Sequence, residues 1–139
     1  MGTEKSVRVV IDTNVIVSAL LFGGIPARLT ALWRDETITP LVSSEIMAEY
    51  IRVLAYAKFR LTAEEINMLL TGEILPWFEV ITAPKGSPFV ALDPDDDKFI
   101  WCAMAGKAAC IISGDEHLLA CAASPVSIVT ANAFLCQLG

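Results

Sequence analysis

The chain has 139 residues, the length of one ordinary domain, and 55% of them are hydrophobic, so it can build a core without disulfides or a structural metal. A formal net charge of -6 excludes tight unaided binding to a polyanion. No apolar stretch approaches the roughly 20 residues of a membrane-spanning helix; the longest, Val15 to Phe22, is far shorter.

The opening Met1-Gly2-Thr3-Glu4-Lys5 leads into a short apolar run that ends at Asp12. It lacks the long apolar core and small-residue cleavage site of a secretory signal, which predicts a cytoplasmic protein. Val7 to Ile11 reads as a buried strand, and Thr13 to Phe22 as a helix stopped by Gly23-Gly24. Pro26 suits the first turn of a second helix, to about Arg34. Thr37 to Val42 is a strand, and Ser43 or Ser44 caps a helix through about Ala57. Thr62 and Glu65 form a capping box for another helix, closed by Gly72 and Pro76. Trp77 to Ile81 is a short strand, and Ala83 to Leu92, with Pro84, Gly86 and Pro88, is a loop. Asp93 to Ala105 reads as a helix, Ala109 to Ile112 as a strand and Asp115 to Ala122 as a short helix. Val126 to Val129 is a last strand before a terminal helix from Thr130. No linker divides residues 1–139, so a single domain is expected. The alternation of β-branched runs with helices predicts an α/β fold with a parallel sheet covered on both faces.

Cys102, Cys110, Cys121 and Cys136 make no Cys-x-x-Cys pair, and the one histidine, His117, has no partner at a ligand spacing. They are read as buried free thiols rather than a zinc site. Trp33, Trp77 and Trp101 are read as core or interface residues, and His117 as a surface residue. Arg28, Arg34, Arg52, Lys58 and Arg60 are candidates to hold a polyanion backbone, but they are scattered and read better as surface charges.

The acids carry the chemistry. In open parallel sheets, ligands sit beyond the carboxyl ends of the strands. Asp12 directly follows one strand, and Asp115 follows another after Ser113-Gly114. Each could equally be a helix cap. In Asp93-Pro94-Asp95-Asp96-Asp97, Asp93 suits an N-cap, and Asp95 and Asp96 suit the positive end of the helix dipole. Asp97 lies on a helix that is apolar nearly all round (Phe99 to Met104), where a carboxylate needs compensation. Glu49 sits at the border of the apolar face marked by Ile46, Tyr50 and Val53, from which it can reach a cleft. Four separate segments thus bring carboxylates to one end of one sheet. Such a cluster needs a cation, and Mg2+ or Mn2+ is the matching hard ion.

These segments resemble the motifs of the PIN-domain family and, within it, the VapC-like toxins of prokaryotic toxin–antitoxin pairs. Val9-Val10-Ile11-Asp12-Thr13-Asn14-Val15 looks like the first motif, and Ser44 to Glu49 like the second. Asp93 to Ile100 looks like the third, in the form with paired aspartates, and Ile111-Ile112-Ser113-Gly114-Asp115 like the fourth. The resemblance implies a three-layer α/β/α sandwich on a five-stranded parallel sheet. It implies Asp12, Glu49, Asp97 and Asp115 as the catalytic and metal-binding acids, with Asp96 adjacent and Thr13, Asn14 and Ser113 as polar supports. Asp97 is chosen over Asp96 because it stands three residues before Ile100, as the family's acid stands before its apolar position. The activity implied is Mg2+- or Mn2+-dependent cleavage of RNA.

The mean hydropathy of +0.58 is high for a small chain and suggests an apolar patch under a partner. Composition and resemblance together imply a homodimer and an antitoxin protein. A phosphatase or receiver-like domain is the rival enzyme, disfavoured because Asn14 stands where Asp-x-Asp needs a second acid. A catalytically silent PIN fold used only for protein contacts is the rival binding module.

Overall fold

A computed structural model of the chain describes residues 6–90 and 93–138. The expectations for Met1 to Lys5, for the last two positions of the loop over 83–92 and for residue 139 lie outside the described residues. Five strands form one parallel sheet: β1 (Val7–Ile11), β2 (Ile38–Val42), β3 (Glu79–Val80), β4 (Cys110–Ile112) and β5 (Ile128–Val129). Their order is β3-β2-β1-β4-β5, with Val10 of β1 beside Leu41 of β2 and Ile111 of β4. Successive residues of a strand face opposite sides of a sheet. Val9, Val10 and Ile11 are all fully buried, as are Ile111 and Ile112, so both sheet faces are covered. This is the three-layer α/β/α arrangement expected for continuous β-branched runs in parallel strands.

Among the described residues, seven α-helices connect and cover the strands: α1 (Thr13–Leu21), α2 (Gly24–Arg34), α3 (Ser44–Leu54), α4 (Ala63–Leu69), α5 (Asp97–Ala105), α6 (Glu116–Leu119) and α7 (Ala131–Leu138). Local signals set several ends. The Ser43 hydroxyl caps α3 by accepting from the Ile46 amide, and Thr62 and Glu65 form the expected reciprocal capping box on α4. Gly23 and Gly24 have φ of 77° and 73°, the left-handed conformation that turns α1 into α2.

The structure departs from expectation where tertiary contacts override local signals. α4 continues as a wide π turn over Leu70–Ile74 rather than closing at Gly72. That turn buries Ile74 completely and offers the Glu73 carbonyl to the Trp33 indole at 3.0 Å. The helix expected from Asp93 begins as a 3-10 turn over Pro94–Asp96, and the Asp93 side chain makes no cap bond. α5 packs across β1, β2 and β4. It ends at Gly106, where an added Cβ would stand 2.6 Å from Leu41 Cδ1. The four cysteines are free, but Cys136 is exposed rather than buried. No single helix among the described residues is long and apolar enough to cross a membrane.

Candidate active site

The chain runs outward from β1 to β2 to β3 on one side and from β4 to β5 on the other, so the sheet reverses direction between β1 and β4. Parallel sheets bind ligands at the carboxyl ends flanking such a switch. Asp12 leaves the end of β1, its amide bonded to the Ile112 carbonyl of β4 at 2.9 Å. Ser113 leaves the end of β4, fully buried, and its hydroxyl donates to Asp12 Oδ2 at 2.8 Å. The same hydroxyl oxygen accepts from the Asp115 amide at 2.9 Å. One serine thus ties the two strand ends together.

Asp12 occupies the N-cap position of α1, yet its side chain makes no cap bond. Capping does not account for it. Asp115 does cap α6, its Oδ1 accepting from the amides of His117 at 2.8 Å and Leu118 at 3.2 Å. Buried Thr13 donates through Oγ1 to Glu49 Oε2. The other glutamate oxygen, Oε1, lies 2.6 Å from Lys98 Nζ and 3.5 Å from Arg52. Tyr50, on α3 beside Glu49, donates its hydroxyl to the Ile11 carbonyl and fixes this helix on the end of β1.

The paired aspartates separate sharply. Asp97 Oδ1 accepts from the amides of Phe89 at 2.9 Å and Val90 at 2.8 Å, so this buried carboxylate holds down the preceding loop. Trp101 helps, donating its indole N–H to the Ser87 carbonyl at 2.8 Å. Asp96 is also buried, and its Oδ2 has no hydrogen-bond partner. Burial, then the negative charges of Asp12, Asp93, Asp115 and Glu49, push the Asp96 carboxyl up to about 7. Burial likewise pushes Asp12 up to about 6 against the hydrogen bonds from Ser113 and Thr13, with Asp115 and Glu49 adding to the rise. Asp12, Asp93, Asp96, Asp115 and Glu49 therefore share one field, whereas Asp97 Oδ1 is spent on backbone amides.

Among the described residues, no three acidic, histidine or cysteine side chains already stand in a geometry that encloses an ion. The chemistry of the group nonetheless fits one. The available donors are carboxylate oxygens, one of them buried and unpartnered, and burial first, then the neighbouring acids, raises two of the carboxyls well above the ordinary range. That set suits a hard divalent ion that keeps much of its water shell. Asn14 is exposed, and with Ser18, Ser113, Asp115, Thr130 and Asn132 it lines a cleft of about 550 Å³ opening beside the acids. A larger cleft of about 750 Å³, lined by Trp33, Thr37 and Glu79, lies at the opposite ends of the strands. Its Glu79 is paired with Arg8 at 2.8 Å.

Lys98 is the residue that the sequence reading passed over. The signal was present: like Asp97, it is a charged side chain on a helix apolar nearly all round. His117 is exposed, as expected, and Trp33 is core, edge-on to Phe78 with ring centroids 5.1 Å apart.

A doubly wound parallel sheet with acids gathered at its switch point defines the class of protein. Residues 8–117 match the family model described as PIN domain, and the chain belongs to the PIN domain family. It is 38% identical over 117 residues to the uncharacterized protein MJ1680 of Methanocaldococcus jannaschii, covering 81% of this chain and 74% of that protein. The fold is similar to that of FitAcB from Neisseria gonorrhoeae, with a TM-score of 0.57, 18% identity and coverage of 88% and 97% of the two chains. It is also similar to VapBC2 from Rickettsia felis bound to a DNA fragment from their promoter, with a TM-score of 0.58, 12% identity and coverage of 87% and 96%. PAE2754 from Pyrobaculum aerophilum shares the fold with a TM-score of 0.56, 15% identity and coverage of 98% and 93%.

Proposed function

We propose that this chain is a divalent-metal-dependent ribonuclease of one domain that works as the toxin of a toxin–antitoxin pair. The observation that carries the reading is the shared field of Asp12, Asp96, Asp115 and Glu49, with Asp96 Oδ2 buried and unpartnered within it. Membership of the PIN family supports nuclease chemistry on those acids. In this proposal Asp96 takes the place assigned from the sequence to Asp97, because Asp97 is committed to Phe89 and Val90.

Asp12, Asp96 and Asp115 would hold Mg2+ or Mn2+. A divalent ion there supplies Lewis-acid activation of water and offsets the charge of the scissile phosphate. The chain's own contributions are positional. Ser113 fixes Asp12 Oδ2 and the Asp115 backbone with one hydroxyl, which sets the spacing of the two strand-end acids. Thr13 orients Glu49 from the residue next to Asp12. The cleft beside Asn14 and Asp115 gives the nucleic acid a path to the acids. With a net charge of -6, the metal-free protein repels a phosphodiester, so substrate binding and catalysis depend on the same ion.

The motif resemblance to VapC-like toxins and the fold shared with the VapBC2 structure support an antitoxin partner. Exposed Phe22, Ile51, Tyr56 and Met68 supply apolar surface for that partner or for a second copy of the chain.

The test is cleavage of RNA with Mn2+, with chelator and by Asp12→Asn. The expected result is cleavage that disappears in chelator and falls roughly a thousandfold in the variant. Full cleavage by Asp12→Asn, or equal cleavage in chelator, contradicts the proposal; cleavage of DNA in preference to RNA contradicts its substrate.

A further inference from the structure

We infer that Lys98 is a built-in cation of the acidic pocket: it neutralises Glu49 and withholds it from the metal, which is left to the aspartates Asp12, Asp96 and Asp115. This rests on the metal-dependent reading above and refines it.

Lys98 Nζ lies 2.6 Å from Glu49 Oε1, 2.8 Å from the Asp95 carbonyl and 3.0 Å from Asp95 Oδ2. Its side chain is only 7% exposed, among the buried Phe99, Ile100 and Cys102 of α5. A buried ammonium persists only where it is paired and satisfied, and here both conditions hold. Paired with Glu49, bonded twice to Asp95 and with almost no solvent contact, Lys98 is a fixed charge of the pocket.

Glu49 is equally committed. Its Oε2 accepts from Thr13, and its Oε1 faces Lys98, with Arg52 at 3.5 Å. Asp95, the other acid touching Lys98, is 72% exposed and solvated, so Glu49 is the buried partner of the pair. Asp12, Asp96 and Asp115 have no cation beside them, and the only buried side-chain oxygen among the described residues that lacks a partner belongs to one of them. Lys98 is thus a positioning residue that withholds Glu49 from the ion.

The experiment is Mn2+ titration by calorimetry of the wild-type chain, Asp12→Asn, Glu49→Gln, Lys98→Met and the double variant Glu49→Gln/Lys98→Met. The wild type should bind Mn2+. Glu49→Gln, which leaves the lysine charge unopposed by its buried partner, should weaken binding roughly tenfold. Lys98→Met, which frees Glu49, should tighten binding roughly tenfold. The double variant removes both charges together and should return to within about threefold of the wild-type affinity. Removing both members of a buried pair is tolerated far better than removing one, so the double variant carries the test if Lys98→Met does not fold. A double variant as weak as Asp12→Asn makes Glu49 a direct ligand and overturns the inference. A Lys98→Met isotherm unchanged or weakened also overturns it. A wild type that binds Mn2+ no better than Asp12→Asn is a different failure, that of the metal site itself.

Discussion

Side chains on successive helical residues point about 100° apart, so adjacent aspartates at the start of α5 cannot face the same way. Asp96 turns into the acidic pocket, and Asp97 turns to the amides of Phe89 and Val90. The two should separate under mutation. Asp97→Ala removes two charge-assisted hydrogen bonds to backbone amides and should cost about 2 kcal/mol, read as a lower urea midpoint. Asp96→Asn should not lower that midpoint and should remove metal-dependent cleavage; the opposite pattern would restore Asp97 as the catalytic acid. The pocket acids also set a pH dependence of the metal-free protein. Asp12 and Asp96 hold protons more tightly folded than unfolded, with values of about 6 and about 7 against an ordinary 3.8. Their contribution to stability is complete below about pH 4 and is lost as the pH rises through about 6 and 7. In chelator the melting temperature should therefore be higher at about pH 5.5 than at about pH 8. Asp12→Asn should raise it at about pH 8; a variant that melts lower there would show that the carboxylate is compensated without metal. At this scale the sequence revealed which segments carry acids. It favoured Asp97 over Asp96 by its spacing from Ile100, and the loop amides that claim Asp97 Oδ1 come from tertiary structure.

Among the elements, α5 sits closest to the sheet centre, and its end is set by contact rather than by backbone freedom. Gly106 has an ordinary φ of -91°, and its carbonyl accepts from Arg8 Nε at 2.9 Å. A methyl there would meet Leu41 at 2.6 Å and Ile81 at 3.1 Å, and Leu41 is fully buried with no room to retreat. Gly106→Ala should cost about 1–3 kcal/mol by overpacking, measured by denaturation. A neutral result would mean that Leu41 and Ile81 repack freely. Elements governed by local chemistry were legible from the residues alone: the β-branched run of β1, the Ser43 cap and the Thr62–Glu65 box. Others depend on neighbours distant in sequence. β3 is confined to Glu79 and Val80, which pair with Leu41 and Val42, although the apolar run is longer. The π turn after α4 exists because Ile74 and the Glu73 carbonyl have places to fill beside Trp33.

For the molecule as a whole, the proposed function would bring an acidic chain to an acidic substrate, and the fold gathers that difficulty at one point. With a net charge of -6 and acids at the switch between β1 and β4, a divalent ion there would be both the electrostatic bridge and the chemical agent. The alternation of strands and helices was enough to place Asp12 and Asp115 at the ends of two strands; that those strands are neighbours comes from the sheet order. The anomalous placement of Lys98 on an apolar helix was visible in the sequence, but its partner was not, since only packing brings its ammonium to Glu49. The central claim is that Asp12, Asp96 and Asp115 converge on one ion, and the direct measurement is anomalous diffraction from a crystal soaked in Mn2+. The account predicts a single strong peak within coordinating distance of those carboxylates, with Glu49 still bound to Lys98. A peak ligated by Asp97, or none at the ends of β1 and β4, would contradict it.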